Sequence, residues 1–452
     1  MKHALLTLAS IGVFTLGLNS ASANVAKNEV DRLGKDLTPF GAEAAGNKDG
    51  SIPAWTGGIT TPPKGYKGSG TEYINPFPDD KPLFTIDGKN YKQYQDNLTE
   101  GQITMLKSAS SEFAIPVYKT RRTFSAPERV VKNTRNNAVS ASLADGGNGI
   151  LNAYGGVPFP IPENGLEIVW NHITRWQGVT FTETNNSIEV HPDGNYQATQ
   201  YNASTTYNFY DPQGNKDSLD NILFYTLTEY TWPNMLAGNL TLIHETLDQV
   251  SEPRRAWNYL PGQRRVRRAP GLAYDQSASF TIADEADMFN GAPDRFDWKL
   301  VEKKEIYVPY NSYKLSSKSL TYDQMLASRT VDPSLTRWEK HRVWVVEGTL
   351  KDGIRHVYGK RRFYVDEDSW SILISEAYDN RGELWKVNYA HTINAYDLPG
   401  FTNELVVYHD LIARKYSVDF LDNEISTTRN FGAPKPAISY WKPANLRRLG
   451  RR

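Results

Sequence analysis

The densest group of chemically capable side chains lies in residues 252–270, Glu-Pro-Arg-Arg-Ala-Trp-Asn-Tyr-Leu-Pro-Gly-Gln-Arg-Arg-Val-Arg-Arg-Ala-Pro. Pro261-Gly262 suits a tight turn, so the stretch is expected to form a hairpin bearing Arg254, Arg255, Arg264, Arg265, Arg267 and Arg268. Alternation sets Trp257 and Tyr259 on one face and separates Arg265 and Arg267 from Arg264, Val266 and Arg268. Guanidinium groups on both faces of one strand are costly unless each meets a carboxylate, a phosphate or water. Two readings stay open. The hairpin docks anionic headgroups or an acidic partner, or its arginines form structural ion pairs with neighbouring strands. Arg447, Arg448, Arg451 and Arg452 make a second basic group, expected in a solvated tail.

Signatures of catalysis are missing. There is no Gly-x-Ser-x-Gly elbow, no His-Glu-x-x-His and no phosphate-cradling loop. Gly146-Gly147-Asn148-Gly149 follows a helix-like segment, which does not suit a dinucleotide fingerprint. His191, His244, His341, His356, His391 and His409 are dispersed without ligand spacing. His409-Asp410 is too slight to define an acid–base pair. The expectation is a non-enzyme with no cofactor and no metal.

Several elements must position these groups. Lys2 and His3, the apolar run Ala4–Leu18 and Ala21-Ser22-Ala23 have the order of a secretory signal peptide. Residues 1–23 are therefore expected to be removed, and the mature chain to begin at Asn24 in the periplasm. No Cys follows to take a lipid. Residues 24–84 are rich in Gly and Pro yet carry Phe40, Ile52, Trp55, Tyr66, Tyr73 and Phe77, as suits an extended arm anchored on another surface. Residues 85–178 are expected to supply short covering helices. Thr99-Glu100-Gly101-Gln102 and Ser125-Ala126-Pro127-Glu128 have capping-box spacing, and Asn164 could cap a third helix. A helix is expected from about Pro127 to Leu143.

From 179 to 430 the period becomes two. Turns such as Asp193-Gly194, Asp352-Gly353 and Asn380-Arg381-Gly382 punctuate runs rich in Val, Ile, Thr, Tyr and Trp. His341–Tyr389 is expected to be an antiparallel meander. One short helix, capped at Thr321, is expected to interrupt the sheet ahead of that meander. Alternation nominates Trp257, Tyr259, Trp344, Val346, Trp370, Ile372, Trp385 and Tyr389 as the lining of an apolar cavity. Residues 431–452 form the basic tail. The whole of 24–452 is expected to be one domain of mainly β structure with helices, a large curved antiparallel sheet or half-barrel closed by helices.

The chain has 452 residues, no Cys, and 51 basic against 51 acidic side chains, so its formal net charge is zero. Zero charge disfavours a general nucleic-acid binder, which needs surplus cations to displace counterions. Without Cys there is neither disulfide nor thiolate, and stability must come from burial and hydrogen bonding.

Several strings carry a family resemblance. They include Leu37-Thr38-Pro39-Phe40-Gly41-Ala42-Glu43, Ala45-Gly46-Asn47-Lys48-Asp49-Gly50 and Ile52-Pro53-Ala54-Trp55. Others are Tyr259 through Pro270, Arg295-Phe296-Asp297-Trp298-Lys299-Leu300, Tyr307-Val308-Pro309-Tyr310-Asn311, His341 through Glu347, Arg361-Arg362-Phe363-Tyr364 and Asp368-Ser369-Trp370. On these the chain resembles the domain of unknown function 1329 family, described as outer-membrane lipoprotein-sorting proteins and related to the Lol lipoprotein carriers. The resemblance implies a curved sheet closed by helices around an apolar cavity. It also suggests neighbours: a resistance–nodulation–division (RND) exporter in the inner membrane and an outer-membrane β-barrel. The function expected is a periplasmic carrier of a lipid, a lipoprotein acyl chain or another hydrophobic ligand, with transient membrane contact. The alternatives are a non-catalytic adaptor between exporter and barrel, and, behind it, an envelope lipid hydrolase.

Overall fold

The computed structural model describes residues 26–450. The expected signal peptide, Arg451 and Arg452 lie outside those residues. The architecture is an open half-barrel built on one fifteen-stranded sheet. Two of its strands, Phe84–Ile86 and Ile115–Val117, are short additions at one end. The main ribbon begins with β1 (Thr180–Val190), β2 (Tyr196–Thr206), β3 (Ile222–Trp232), β4 (Leu240–Thr246), β5 (Arg255–Leu260) and β6 (Arg265–Arg268). It continues with β7 (Phe296–Pro309), β8 (Trp338–Leu350), β9 (Lys360–Asp366), β10 (Ile372–Tyr378), β11 (Leu384–Ala395), β12 (Gly400–Asp410) and β13 (Lys415–Leu421).

Two meanders, β1–β6 and β7–β13, join where β13 pairs antiparallel with β1. The spatial order is therefore β7 to β13 followed by β1 to β6, and the terminal strands β7 and β6 share no ladder. One row of directly opposed residues shows how the faces form. Val345, Tyr364, Ile374, Tyr389, Val407, Val418, Ile188 and Ala198 face one another across eight strands. Because successive residues point to opposite faces, all eight lie on one side. Val346, Phe363 and Tyr408 lie on the other. Both sides are buried. The first is covered by α1 (Glu100–Ser108), the segment around Phe113 and residues 313–335. On the second, Trp298 and Phe289 pack on Phe363, and the Tyr408 hydroxyl reaches the Glu285 carbonyl.

The helices are legible in their caps. At Thr99 the hydroxyl accepts from the Gln102 N–H, and the Gln102 amide accepts from the Thr99 N–H. The Thr321 box closes the same way, and the Asn164 side chain caps α3 (Gly165–Ile173). The Ser125 box does not form. Pro127 is the N-cap of α2 (Glu128–Ser140), and the Ser125 hydroxyl donates instead to the Ile59 carbonyl of the arm. An extended chain lying alongside competes for the same side chain.

The expected solvated tail is also corrected. Ile438–Trp441 forms a 3-10 turn and Pro443–Leu449 a helix, α4, that packs against β4, β5 and β6. Trp441 stacks on Tyr225, and Leu446 is buried beside Tyr259. Burial of Trp441 and Leu446, with Tyr440 and Leu449 packed beside them, docks a segment that otherwise looks basic.

The N-terminal segment caps one rim of the ribbon. Trp370, in the β9–β10 turn, donates its indole N–H to the Phe40 carbonyl. Tyr396, in the β11–β12 turn, accepts from the Ile74 N–H. Arg122 clasps Asp368 at 2.9 and 2.7 Å, and Arg129 of α2 reaches the Tyr210 carbonyl between β2 and β3.

Candidate functional site

The apolar hollow that the resemblance implies is filled in this structure. Between the sheet and its cover lies a small cavity of about 10 Å³, lined by Phe113, Val331, Pro333, Trp338, Tyr389 and His391 among others. That is room for about one water molecule. Tyr389 and His391 come from the middle of β11. Trp338 opens β8. Phe113 follows α1, and Val331 and Pro333 belong to the loop before β8. Phe113 is the plug: its ring stacks on Tyr389 at 5.7 Å and meets Trp338 edge-on at 6.2 Å.

The cover is built from segments distant in sequence, α1 with the Phe113 turn and residues 313–335. Glu112 ties two of them, accepting from the Ser328 hydroxyl at 2.8 Å and the Arg329 N–H at 3.0 Å. The Tyr416 hydroxyl donates to the Ala327 and Thr330 carbonyls, and His409 pairs with the Thr330 hydroxyl at 3.1 Å. On the α1 side, Gly101 lies so close to the sheet that a Cβ there would stand 2.4 Å from Val387 Cγ2.

The electrostatics suit apolar contact. Burial pushes His391 down to about 3, with His409 adding to the effect, and burial likewise holds His409 at about 3. Both imidazoles therefore stay neutral. Burial lifts the Tyr389 phenol well above its ordinary range. Among the described residues its hydroxyl has no hydrogen-bond partner, and Tyr389 lines the cavity. An unpaired buried phenol costs about 1–3 kcal/mol, and an oxygen-bearing occupant would relieve that cost.

Of the eight residues nominated by alternation, Tyr389 lines this cavity. Trp370, Ile372 and Val346 are buried in the main core, and Val346 is on the opposite face from Tyr389. Trp344 is half-buried, stacked on Trp370 and covered by the Lys303 ammonium. Trp385 is half-buried, donates to Asp410 and packs edge-on against Tyr358. Trp257 and Tyr259 belong to a separate cluster beneath α4, seven strands from β11 and so roughly 30 Å along the sheet. Alternation identifies buried positions, but it cannot choose between two covered faces. Phe113 and Val331 come from aperiodic segments and left no signal. Trp338 lies just ahead of His341, where the expected meander begins.

The basic hairpin divides. Arg254 is buried, bonded to Glu245 and to the Leu272 and Asn290 carbonyls, and Arg255 pairs with Glu252 at 2.8 Å. Arg264, Arg265, Arg267 and Arg268 are exposed on the terminal strand and its turn. Among the described residues none of these four lies within ion-pair distance of a carboxylate. A groove of about 310 Å³ runs beside Arg267, Arg268 and Gln276.

His341, Asp366 and Asp368 also converge, with ligand-type atoms within 4.8 Å of one another. Their capacity is largely taken. Arg122 holds both oxygens of Asp368, while Tyr310, Ser369 Oγ and the Ser369 N–H converge on one oxygen of Asp366. His341 stacks on Tyr310 and meets Glu339 at 3.1 Å. A guanidinium already neutralises this pocket, and the group ties the arm to the β9–β10 turn.

Among the described residues no helix is long and apolar enough to cross a membrane. Among solved structures, the chain resembles a domain from Vibrio parahaemolyticus assigned to outer-membrane lipoprotein sorting, at 14% identity, 63% of this chain, 98% of that one and TM-score 0.43. It also resembles a LolA superfamily protein from Nitrosomonas europaea, at 13% identity, 62% and 98% coverage and TM-score 0.38. In sequence it is 44% identical over 453 residues, 98% of each chain, to uncharacterized protein PA3922 of Pseudomonas aeruginosa. The family model described as a protein of unknown function, DUF1329, matches residues 85–447, most of the chain, and the protein belongs to that family.

Proposed function

We propose that the protein binds a hydrophobic molecule, such as a lipid or a lipoprotein acyl chain, between the sheet and its cover, and carries it through the periplasm between the two membranes. The observation behind this reading is the aromatic void lined by Tyr389, whose phenol has no hydrogen-bond partner among the described residues, with the Phe113 ring filling the space beside it. As it stands the cavity admits no acyl chain, so loading requires Phe113 and its segment to swing away.

The energetics allow that exchange. Exposing a buried Phe costs about 1.5–3 kcal/mol, and each buried methylene returns about 0.8 kcal/mol. Four methylenes therefore offset the plug, and a longer tail has energy left to displace more of the cover. The shuttle consequently closes on itself when empty and exposes no greasy interior to water.

Native mass spectrometry of the full mature chain, purified from its own envelope and also mixed with a C16 lysophospholipid, tests the reading. A bound amphiphile is expected in at least one preparation. Phe113→Ala should raise uptake at least several-fold, because the plug is gone. If neither the parent nor the Phe113→Ala chain ever retains an amphiphile, the carrier reading fails.

A further inference from the structure

The two rims of the half-barrel differ in kind. In an antiparallel ribbon alternate turns fall on the same rim. The β9–β10, β11–β12, β2–β3 and β4–β5 connections lie on one rim and carry buried Trp370, Tyr396, Tyr210 and Leu247 beneath the N-terminal segment. The β8–β9, β10–β11, β12–β13, β1–β2, β3–β4 and β5–β6 turns lie on the other, and register fixes their common side. Lys360 opposes Tyr378, Lys386 opposes Asp410, Tyr416 opposes Val190, Gln200 opposes Trp232, and Leu240 opposes Tyr259. On this second rim Ile354 is 43% exposed, Ile412 68%, Trp232 53% and Met235 86%, against Val250 at 52% on the first.

Charge is sorted on the same rim. The β3–β4 tip with Trp232 and Met235 touches the basic β5–β6 turn, because a Cβ on Gly238 would stand 3.0 Å from Pro261 Cγ. Arg264 and Arg265 sit there, with Arg267 and Arg268 just behind on β6, exposed and without a carboxylate partner among the described residues. Arg447 and Arg448, in the last turn of α4, are exposed close by, since Gly450 packs on the Tyr259 ring. Three rim carboxylates, Asp193, Asp379 and Asp410, are engaged within their own turns, where they accept backbone N–H groups. Asp352 and Glu383 are exposed, but Lys351, Arg355 and Arg381 on the same two turns offset them. A chain of zero net charge has thus concentrated unpaired arginine beside an exposed Trp and Met.

We infer that this turn rim, centred on Trp232, Met235, Arg264, Arg265, Arg267 and Arg268, docks on the surface of an anionic phospholipid bilayer. Indole and thioether side chains suit the boundary between headgroups and acyl chains. The guanidinium groups meet lipid phosphates in charge-assisted, often bidentate, hydrogen bonds. Lipids rearrange around separate turns, so a discontinuous rim needs no preformed complementary surface to engage them. The inference does not depend on a ligand in the cavity.

Because the chain has no Cys, a single engineered thiol can be labelled at one chosen place. We would attach an environment-sensitive fluorophore through Met235→Cys, and in a second sample through Val139→Cys, which is exposed on α2 at the capped side. Each unloaded chain is titrated with vesicles of phosphatidylethanolamine and phosphatidylglycerol, and with vesicles of phosphatidylcholine alone. The label at 235 should shift to the blue on the anionic vesicles only, and less at high salt, while the label at 139 stays unmoved. Replacing Arg264, Arg265, Arg267 and Arg268 by Gln in the Met235→Cys chain should weaken partitioning roughly a hundredfold. Trp232→Ser should weaken it roughly tenfold with little change in salt dependence. All these side chains are exposed, and matching thermal melts establish that the variants fold. No shift at 235, an equal shift at 139, or a four-arginine variant that partitions like its parent would overturn the inference.

Discussion

Tyr389 shows how one side chain can be correct for packing and wrong for polarity. Its ring fills the space between Phe113 and Trp338, yet its hydroxyl is buried without a partner among the described residues. A protein selected for stability alone would gain by losing that oxygen. Tyr389→Phe is therefore expected to raise the unfolding free energy by about 1 kcal/mol, and urea denaturation would measure it. If the phenol meets a ligand's polar end, the same variant should hold that ligand less tightly, so stability and binding would move in opposite directions. At this scale legibility depends on periodicity. Tyr389 was nominated by alternation and does border the cavity. Phe113 was not, because its segment has no period from which to infer a facing direction.

At the scale of elements, α1 is held by its capping box and by the closeness of Gly101 to β11. Gly101 has ordinary helical surroundings on its own helix, and its smallness matters because Val387 and Glu376 occupy the space a Cβ would need. Gly101→Ala should cost about 1–3 kcal/mol through overpacking, despite the better helix propensity of Ala, and would be read by thermal melting. A stabilising Gly101→Ala would mean that α1 sits further from the sheet. Caps at Thr99, Asn164 and Thr321 were readable because such bonds are local. The Ser125 box was not, because the arm's Ile59 carbonyl, 66 residues away, takes its hydroxyl. The C-terminal helix escaped notice for a related reason: Trp441 and Leu446 need Tyr225 and Tyr259 to pack against.

Across the whole molecule, buried ionisable groups should make stability depend on pH in opposing ways. Burial holds His172, His391 and His409 at about 3. As pH falls from 6.5 towards 3, the unfolded chain binds protons that the folded chain refuses, and stability drops. Asp366, raised to about 6 by burial and then by Asp368, and Asp419, raised to about 6 by burial, act the other way. Between their ordinary 3.8 and 6 the folded chain keeps protons that the unfolded chain releases, so stability from these groups is lost as pH rises. The balance is best dissected by difference. Relative to His391→Gln, the parent should lose up to about 1.4 kcal/mol per pH unit between pH 6 and pH 4, measured by urea unfolding at each pH. Parallel curves would show that His391 takes up a proton in the folded state.

The amino-acid sequence by itself determined the period-two ribbon, its turns, three helix caps, the family strings and the location of the arginine hairpin. Each of these rests on neighbours within a few residues, where spacing and residue type are enough. Tertiary structure alone decided that both faces of the sheet are covered, that Phe113 fills the space beneath the cover, and that one rim is capped while the other is bare. Those outcomes depend on which distant segments meet. Residues as far apart as Trp232 and Ile412 share a rim only because β13 pairs with β1, and no local pattern in either stretch records that pairing.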